Sequence, residues 1–326
     1  MLFSPQTIAL SIVDVADTTY KISTSESIEE LLASINCIGL LSPPILKKNP
    51  RTYTIISGFK RIAACINLGW TTIEARVVDF KASDLQCARI AIADNSANRS
   101  LNFIEQSISL SMLLNYYDDK EVIREAKGLG LNINASLLEK LKKTAQLSSE
   151  IKKTILRGTI SLTIALELGK MDKPSAMALS QLFESLNPTF NIQKEMLTMV
   201  KEIARIKDLP ISQLLNDKYF LSIMENGEIS RNQKVQKIRY YFKKMRNPVI
   251  TQFEENFDCL MQRIDLPDEI KLIPPDNFEG TRYSIVFNFQ NLKEFEFKKE
   301  ALDKLMLHPE FIKIFEKEIA DYKSLH

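Results

Sequence analysis

The amino-acid sequence predicts an α+β fold that is mostly helical and begins with a small α/β domain. Residues 1–80 alternate short β-branched stretches with short amphipathic ones, which is the pattern of such a domain. Residues 82–246 are rich in Leu, Ile, Lys and Glu, and their breaks are marked by Gly and Pro, which predicts an all-α middle domain. An alternating strand at 282–289 indicates a small α+β module. We therefore predict domains at 1–100, 101–246 and 247–326.

The first domain is predicted to run strand, helix, strand, strand, helix, strand. Ser27 with Glu30 forms a capping box before apolar residues at helical spacing, and Gly39 ends that helix. Pro43 and Pro44 exclude helix and place the segment that holds them at an edge of the sheet. The predicted elements are a strand at 6–14, a helix at 27–39, an extended segment at 40–46, a strand at 53–56, a helix at 59–69 and a strand at 72–78.

The rest of the chain is predicted from helix starts and stops. Gly130, Pro188 and Pro210 mark three of the breaks between periodic segments. One or two further helices are expected after the strand at 282–289. The predicted helices lie at 82–93, 103–115, 119–127, 135–145, 148–157, 161–170, 173–186, 190–206, 210–215, 230–246 and around 250–263.

Composition indicates a folded protein of a reducing compartment. Hydrophobic residues make up 45% and charged residues 26% of the 326 residues. The formal charge of +2 is close to neutral, so a nucleic-acid surface would require local segregation of cations. The four cysteines lack metal-ligand spacing and are predicted to be core residues. Because the sequence shows neither a signal peptide nor an apolar run of about 18 residues, it predicts a cytoplasmic protein without a membrane partner.

The stretch from Ile55 to Ala64 is typical of a strand end, a glycine turn and a helix start. Gly58 at such a turn lets a ligand approach the backbone closely. The free N–H groups at the helix start then favour an anion, above all phosphate. Lys60 and Arg61 would add one mobile and one forked cation. The stretch therefore predicts a phosphate-binding turn; an ordinary strand–helix junction with two solvated cations is the alternative.

Three short boxes follow one another along the first part of the chain. They are G-L-L-S-P-P-I-L at 39–46, G-F-K-R at 58–61 and D-N-S-A-N-R at 94–99, the last just before a predicted helix. In this order the boxes resemble those of the ParB/RepB partition-protein family. The resemblance covers about 115 N-terminal residues. It implies a ParB/sulfiredoxin-like domain followed by a helical DNA-binding domain that contains a helix-turn-helix.

The resemblance also implies a nucleotide site. In the family this domain binds cytidine triphosphate with magnesium, so CTP, or another nucleoside triphosphate, and Mg²⁺ are the expected cofactors. The triphosphate would lie over the turn, and Asn95 would hold the metal. Nucleotide binding would act as a conformational switch for clamping on DNA. By this resemblance the nucleotide-binding residues are Ser42, Pro43, Gly58, Lys60, Arg61, Asn98 and Arg99.

Two departures from the family pattern bear on catalysis. Phe59 stands where the family has a glutamate, and Asp94 replaces a longer acid. We therefore expect binding with weak hydrolysis at most, in which Asp94 is the one candidate catalytic residue. The sulfiredoxin branch has a catalytic cysteine in the turn. Because Phe59 takes that place, the turn lacks the nucleophile that redox catalysis requires.

Residues 119–145 have the proportions of a helix-turn-helix. Polar side chains near the start of its second helix lie where base edges would be met, and a group of cations follows them. A solvated, charged helical bundle is the alternative interpretation. The predicted DNA contacts in this region are Asn134, Ser136, Lys140, Lys142, Lys143, Lys152, Lys153 and Arg157.

The predicted helix at 231–246 carries seven cations and no acid. Its apolar residues share one helical face and are predicted to be core. Lys237, Lys243 and Lys244 are predicted to contact DNA phosphates. The same cations are also consistent with a solvated face or with a surface that docks a partner.

Together these patterns favour a ParB-like DNA-binding protein with a role in plasmid or chromosome partition or in related regulation. DNA and nucleotide are the expected partners, and a homodimer and a partner ATPase are further candidates. Two alternatives stay open. One is a metal-dependent NTPase or nuclease that uses Asp94 and Asn95, and the other is a non-catalytic adaptor with a degenerate turn.

Overall fold

The structure, a computed structural model, describes residues 3–312 except 265, 268, 269, 279 and 281. Contacts divide the chain into two compact units, Met1–Ser180 and Gln181–His326. The first unit joins a mixed sheet to helices, and the second is helical with a two-stranded sheet. This architecture confirms the predicted fold class, α+β and mostly helical. The predicted three-domain division stays a prediction.

A five-stranded mixed sheet organises the first unit. Its strands are β1 (Ser4–Ala9), β2 (Val13–Asp14), β3 (Ile45–Lys48), β4 (Tyr53–Ser57) and β5 (Thr72–Val78). The spatial order is β1-β5-β3-β4-β2. Strand β3 runs antiparallel to β4 and parallel to β5. The box at 39–46 therefore leads into the middle of the sheet.

Two predictions about this sheet are wrong. The strand predicted at 6–14 is broken by a 3-10 turn at Leu10–Ile12, so that β1 pairs with β5 at one edge and β2 pairs with β4 at the other. The prolines do not mark an edge strand either. Pro44 ends the loop before β3, so every residue of β3 retains its N–H group and the strand lies between two neighbours.

Helices cover both faces of the sheet. On one face, α1 (Glu29–Ile38) and α2 (Phe59–Asn67) form a core with one set of strand residues. On the other face, α3 (Asp84–Asn98) packs against the alternate set. The capping box predicted for α1 is wrong, because the Ser27 hydroxyl bonds to the Glu29 carboxylate and no side chain caps the helix.

Helix α3 is longer than predicted and contains most of the box at 94–99 in its last turns. Beyond it, the helices of the first unit are α4 (Phe103–Leu114), α5 (Asp119–Gly128), α6 (Ala135–Ala145), α7 (Ser149–Leu156) and α8 (Leu162–Leu168). Helices α4, α5 and α6 share a core with α3. Cys65 and Cys87 are core residues as predicted, whereas Cys37 and Cys259 are exposed.

Helix α9 (Lys173–Leu186) crosses the boundary between the units. The helices that follow are α10 (Phe190–Lys207), α11 (Ile211–Leu214), α12 (Lys218–Glu225), α13 (Arg231–Arg246), α14 (Pro248–Arg263) and α15 (Leu292–Met306). A two-stranded sheet contains β6 (Ile270–Ile273) and β7 (Ser284–Phe287). Neither α12 nor β6 was predicted. The strand predicted at 282–289 is shorter, and Ile285 and Phe289 are exposed.

No helix in the described part of the chain is both long enough and apolar enough to cross a bilayer.

Candidate functional site

The glycine turn after β4 is built as the sequence predicts. Strand β4 ends at Ser57, Gly58 has a φ of +95°, and α2 begins at Phe59. A Cβ atom at Gly58 would lie 2.7 Å from the Cβ of Pro44, closer than side-chain atoms pack, so the position requires glycine. Within the described residues no side chain caps α2. The N–H groups of its first turn are therefore available to an anion at the positive end of the helix.

Arg61 ties the loop before β3 to helix α3. Its Nη1 donates to the carbonyl and hydroxyl oxygens of Ser42, both at 2.9 Å, and to the Pro43 carbonyl at 3.0 Å. Its Nη2 lies 3.3 Å from the Asp94 carboxylate. Only 18% of the Arg61 side chain is exposed. Arg61 therefore holds the walls of the turn together, a role that the sequence did not indicate, and its phosphate contact stays a prediction.

Lys60 is held less firmly than Arg61. Its Nζ donates to the Ser25 hydroxyl at 2.9 Å, in an exposed contact. Ser25 lies on the irregular segment that precedes α1. A single exposed hydrogen bond contributes about 1 kcal/mol or less. A phosphate at the α2 start can therefore draw the ammonium group away from Ser25.

The end of α3 brings an acid and two amides to this region. Asp94 accepts a hydrogen bond from the Ser57 hydroxyl at 2.5 Å, in addition to its contact with Arg61. Asn95 and Asn98 each donate to a carbonyl of their own helix, at 2.8 and 2.6 Å. The described residues contain no group of three or more His, Cys, Asp or Glu side chains that could hold a metal. The predicted metal site therefore depends on the Asn95 amide oxygen together with phosphate oxygens.

Arg99 pairs with Glu105 on α4, at 2.5 Å from Nη1 and 2.9 Å from Nη2. Glu105 is 1% exposed and also accepts from the backbone N–H groups of Thr24 and Asn102. Burial alone would raise the pKa of Glu105, but these hydrogen bonds outweigh it and hold that pKa below its usual range. We missed Glu105 as a site residue, although its capping-box spacing from Asn102 was a usable signal.

The turn and the start of the box at 94–99 fall within a recognised domain, because residues 6–96 match the family model of the ParB N-terminal domain. The N-terminal part of this chain is therefore similar to the ParB N-terminal domain. It is 29% identical over 192 residues to the nucleoid occlusion protein of Bacillus licheniformis. That alignment covers 58% of this chain and 65% of the relative. The chain thus spans less than two thirds of the length of that relative.

Two solved ParB structures from Caulobacter crescentus are also similar, each at 20% identity and over 55% of this chain. One is a C-terminally truncated ParB complexed with CTP-γ-S, of which 98% is covered with a TM-score of 0.26. The other is a C-terminally truncated ParB complexed to the centromeric parS site, of which 91% is covered with a TM-score of 0.32.

Helices α5 and α6 lie where the sequence predicts the two helices of a helix-turn-helix. The Asn134 side chain accepts a hydrogen bond from the Leu137 N–H at 2.8 Å and so caps α6. The amide NH₂ group of Asn134 donates no hydrogen bond within the described residues, and the nearby Ser136 is exposed. Both residues therefore lie at the start of the second helix, as predicted. Arg157 is exposed just after α7.

The cations of α6 and α7 fall into two classes. Lys140, Lys143 and Lys153 are exposed and have no ion-pair partner in the part of the chain that the structure describes. Lys142 lies 3.0 Å from an aspartate of α5. Lys152 donates to the last carbonyl of α6 at 2.6 Å, and burial lowers its pKa. The first three lysines are therefore the better candidates for phosphate contacts.

The basic helix α13 is linked to α14 by ion pairs. Lys243 lies 2.6 Å from Glu254, and Lys244 lies 2.9 Å from Glu255. Lys237 is exposed, with no partner among the described residues. The apolar face of α13 is buried, as predicted. Contact between DNA and the two paired lysines would require them to leave their carboxylates, so Lys237 is the best placed of the three.

Proposed function

We propose that this chain is a ParB-type DNA-binding protein whose N-terminal domain binds CTP, or another nucleoside triphosphate, at the Gly58 turn. The observation that carries the proposal is the uncapped start of α2, which follows a turn that requires glycine and lies within the ParB N-terminal match. The nucleotide acts as a switch for clamping on DNA. Because relatives at 29% identity are nucleoid occlusion proteins, we assign the chain a role in chromosome partition or nucleoid occlusion.

The groups of the site have separate roles in this proposal. The N–H groups of the first turn of α2 and the Lys60 ammonium bind the phosphates. Arg61 and Asp94 position the loop with Ser42 and Pro43 against α3, so that the turn keeps its shape. Bound Mg²⁺ would neutralise phosphate charge, with the Asn95 amide oxygen as its protein ligand. The side-chain oxygen of Asn98 and the guanidinium of Arg99 complete the proposed nucleotide site.

Hydrolysis does not belong to this proposal. Phe59 packs against the core between α1, α2 and the sheet, so the turn carries no acid at that position. The Asp94 carboxylate already accepts hydrogen bonds from Ser57 and Arg61. A carboxylate engaged in this way is poorly placed to take a proton from water.

A homodimer and a partner ATPase stay predictions.

Replacement of Lys60 by alanine is expected to weaken nucleotide binding. A charge-assisted hydrogen bond to phosphate contributes about 1.5 kcal/mol or more, which corresponds to a roughly tenfold loss of affinity. Fluorescence titration with labelled CTP and Mg²⁺ measures this change. The matched control is Lys48→Ala, which removes an exposed cation from β3 of the same domain and should leave the affinity unchanged. Equal affinities for wild type and Lys60→Ala would remove Lys60 from the site, and no CTP binding by the wild type would end the nucleotide proposal.

DNA binding is expected to depend on the unpaired lysines of α6. Combined replacement of Lys140 and Lys143 by alanine removes two exposed cations, so the log–log slope of affinity against salt should become shallower by about 2. The comparison variant replaces Lys243 and Lys244, which have carboxylate partners, and should change the slope by less than about 1. Fluorescence anisotropy over a salt series measures both. The reverse ranking would move the DNA surface to α13.

A further inference from the structure

The irregular segment at residues 23–28 lies between the glycine turn and the start of α4. It follows Ile22, which is fully buried in the core, and it ends where α1 begins. The segment has no regular secondary structure, and three consecutive residues with hydroxyl side chains, Ser23, Thr24 and Ser25, lie at its start. We call residues 23–28 the strap. Because residues 23–27 make no ladder or helix hydrogen bond among the described residues, the position of the strap depends on a few side-chain contacts and on its junction with α1 at Ile28.

On one side, the strap is attached to the junction between α3 and α4. The Thr24 N–H donates to Glu105 at 2.9 Å, and the Thr24 hydroxyl donates to the same oxygen at 3.2 Å. The Asn102 side chain, which caps α4, donates to the Thr24 hydroxyl at 2.8 Å. Glu105 also binds Arg99 at the end of α3. Thr24 is therefore part of the hydrogen-bonded network that fixes the start of α4 relative to the end of α3.

On the other side, the strap is attached to the turn by one contact. The next residue, Ser25, accepts a hydrogen bond from Lys60 at 2.9 Å. Lys60 is also the mobile cation of the α2 start, where the uncapped N–H groups lie. One ammonium group thus has two competing acceptors, a neutral hydroxyl and an anion at the turn. A phosphate oxygen is the stronger acceptor, because it carries a negative charge that attracts the ammonium group, whereas the hydroxyl oxygen is neutral.

We propose that the strap competes with a bound oligophosphate for Lys60 and transmits the loss of that contact, through Thr24 and Glu105, to the start of α4. The proposal rests on the proposed nucleotide site and adds its regulation. An oligophosphate at the turn draws Lys60 from Ser25 and loosens the strap. The Thr24 contacts with Glu105 then open more often, and the junction between α3 and α4 is held less firmly. Binding of an oligophosphate at the turn thus changes how firmly the start of α4 is held against the end of α3.

Because Ser25 and a phosphate compete for Lys60, replacing Ser25 and replacing Lys60 should change the affinity for phosphate in opposite directions. Ser25→Ala removes only the competing acceptor, so the affinity for inorganic tripolyphosphate should rise about two- to fivefold. Lys60→Ala removes the shared cation and should lower that affinity. Ser23→Ala is the matched control, because the structure shows no hydrogen bond of the Ser23 side chain within the described residues. Isothermal titration of the full chain with tripolyphosphate, and separately with CTP and Mg²⁺, measures all three variants.

Hydrogen exchange followed by mass spectrometry tests the transmission. In the wild type, tripolyphosphate should increase exchange by about two- to fivefold in peptides covering the strap, residues 20–30, and the α3–α4 junction, residues 99–106. Peptides covering 72–78 should not change. Lys60→Ala and Ser25→Ala should show the faster exchange without ligand and no further increase with it. Slower or unchanged exchange in the ligand-bound wild type, or unchanged affinity in Ser25→Ala, overturns the strap proposal alone. If tripolyphosphate and CTP both fail to bind the wild type, the proposed nucleotide function fails and the strap proposal fails with it.

Discussion

Gly58→Ala is expected to lower the free energy of unfolding of the first unit by about 3 kcal/mol and to abolish nucleotide binding. A non-glycine residue in the left-handed region costs about 1–2 kcal/mol. The new methyl group would also lie 2.7 Å from the Cβ and 3.0 Å from the Cα of Pro44. The backbone at Pro44 would therefore have to shift. For a unit of this size the combined loss lowers the melting temperature by about 6–12 °C. Thermal unfolding followed by circular dichroism measures it.

Gly69→Ala is the matched control for this prediction. Gly69 ends α2 with a φ of +76°, but a Cβ at Gly69 would have no atom within 4 Å. The control therefore carries the conformational cost without the steric one, about 1–2 kcal/mol. The difference between the two variants isolates the contact with Pro44. Equal stabilities would show that the loop before β3 adapts to the methyl group, and retained CTP binding in Gly58→Ala would contradict the role of the turn.

Glu105→Gln is expected to lower the free energy of unfolding by about 3 kcal/mol at neutral pH. The substitution keeps the size of a side chain that is 1% exposed, but it removes the charge that binds Arg99 and leaves buried N–H groups with a weaker acceptor. The pKa of Glu105 is lower in the folded protein than its ordinary value near 4.3. Its stabilisation is therefore fully present above that value and is lost as the pH falls towards the folded pKa.

The pH dependence distinguishes this prediction from a general packing defect. Denaturant unfolding of wild type and Glu105→Gln should show the full gap at pH 7 and a smaller gap below about pH 4. Glu121→Gln is the matched control, because Glu121 occupies the same capping-box position in α5 and has no arginine partner in the described residues. It should cost less than about 1 kcal/mol. A gap between wild type and Glu105→Gln that is independent of pH would contradict the ion-pair explanation.

Helix positions were predictable from the sequence because their signals are local. The helices at 135–145 and 173–186 match their predicted bounds, since caps and apolar spacing lie within a few residues of each end. Strand pairing was not predictable in the same way. The break at Leu10–Ile12 follows from two pairings, with β5 and with β4, that join residues far apart in the chain. Short strands carry too little periodicity to show such a break.

The residues of the candidate site also fall into two groups. Some are recognisable from the local sequence, and the roles of others depend on residues far apart in the chain. Gly58 could be recognised from the sequence alone, because the change from strand to helix and the need for a positive φ are local properties of the turn. The role of Arg61 could not, because its long side chain bonds to Ser42 and to Asp94, which lie 19 and 33 positions away. Only the tertiary structure determines which oxygens a guanidinium group reaches. The sequence thus predicted the anion-binding turn. The packing of the loop and α3 around that turn decided that the protein holds Arg61 more firmly than Lys60.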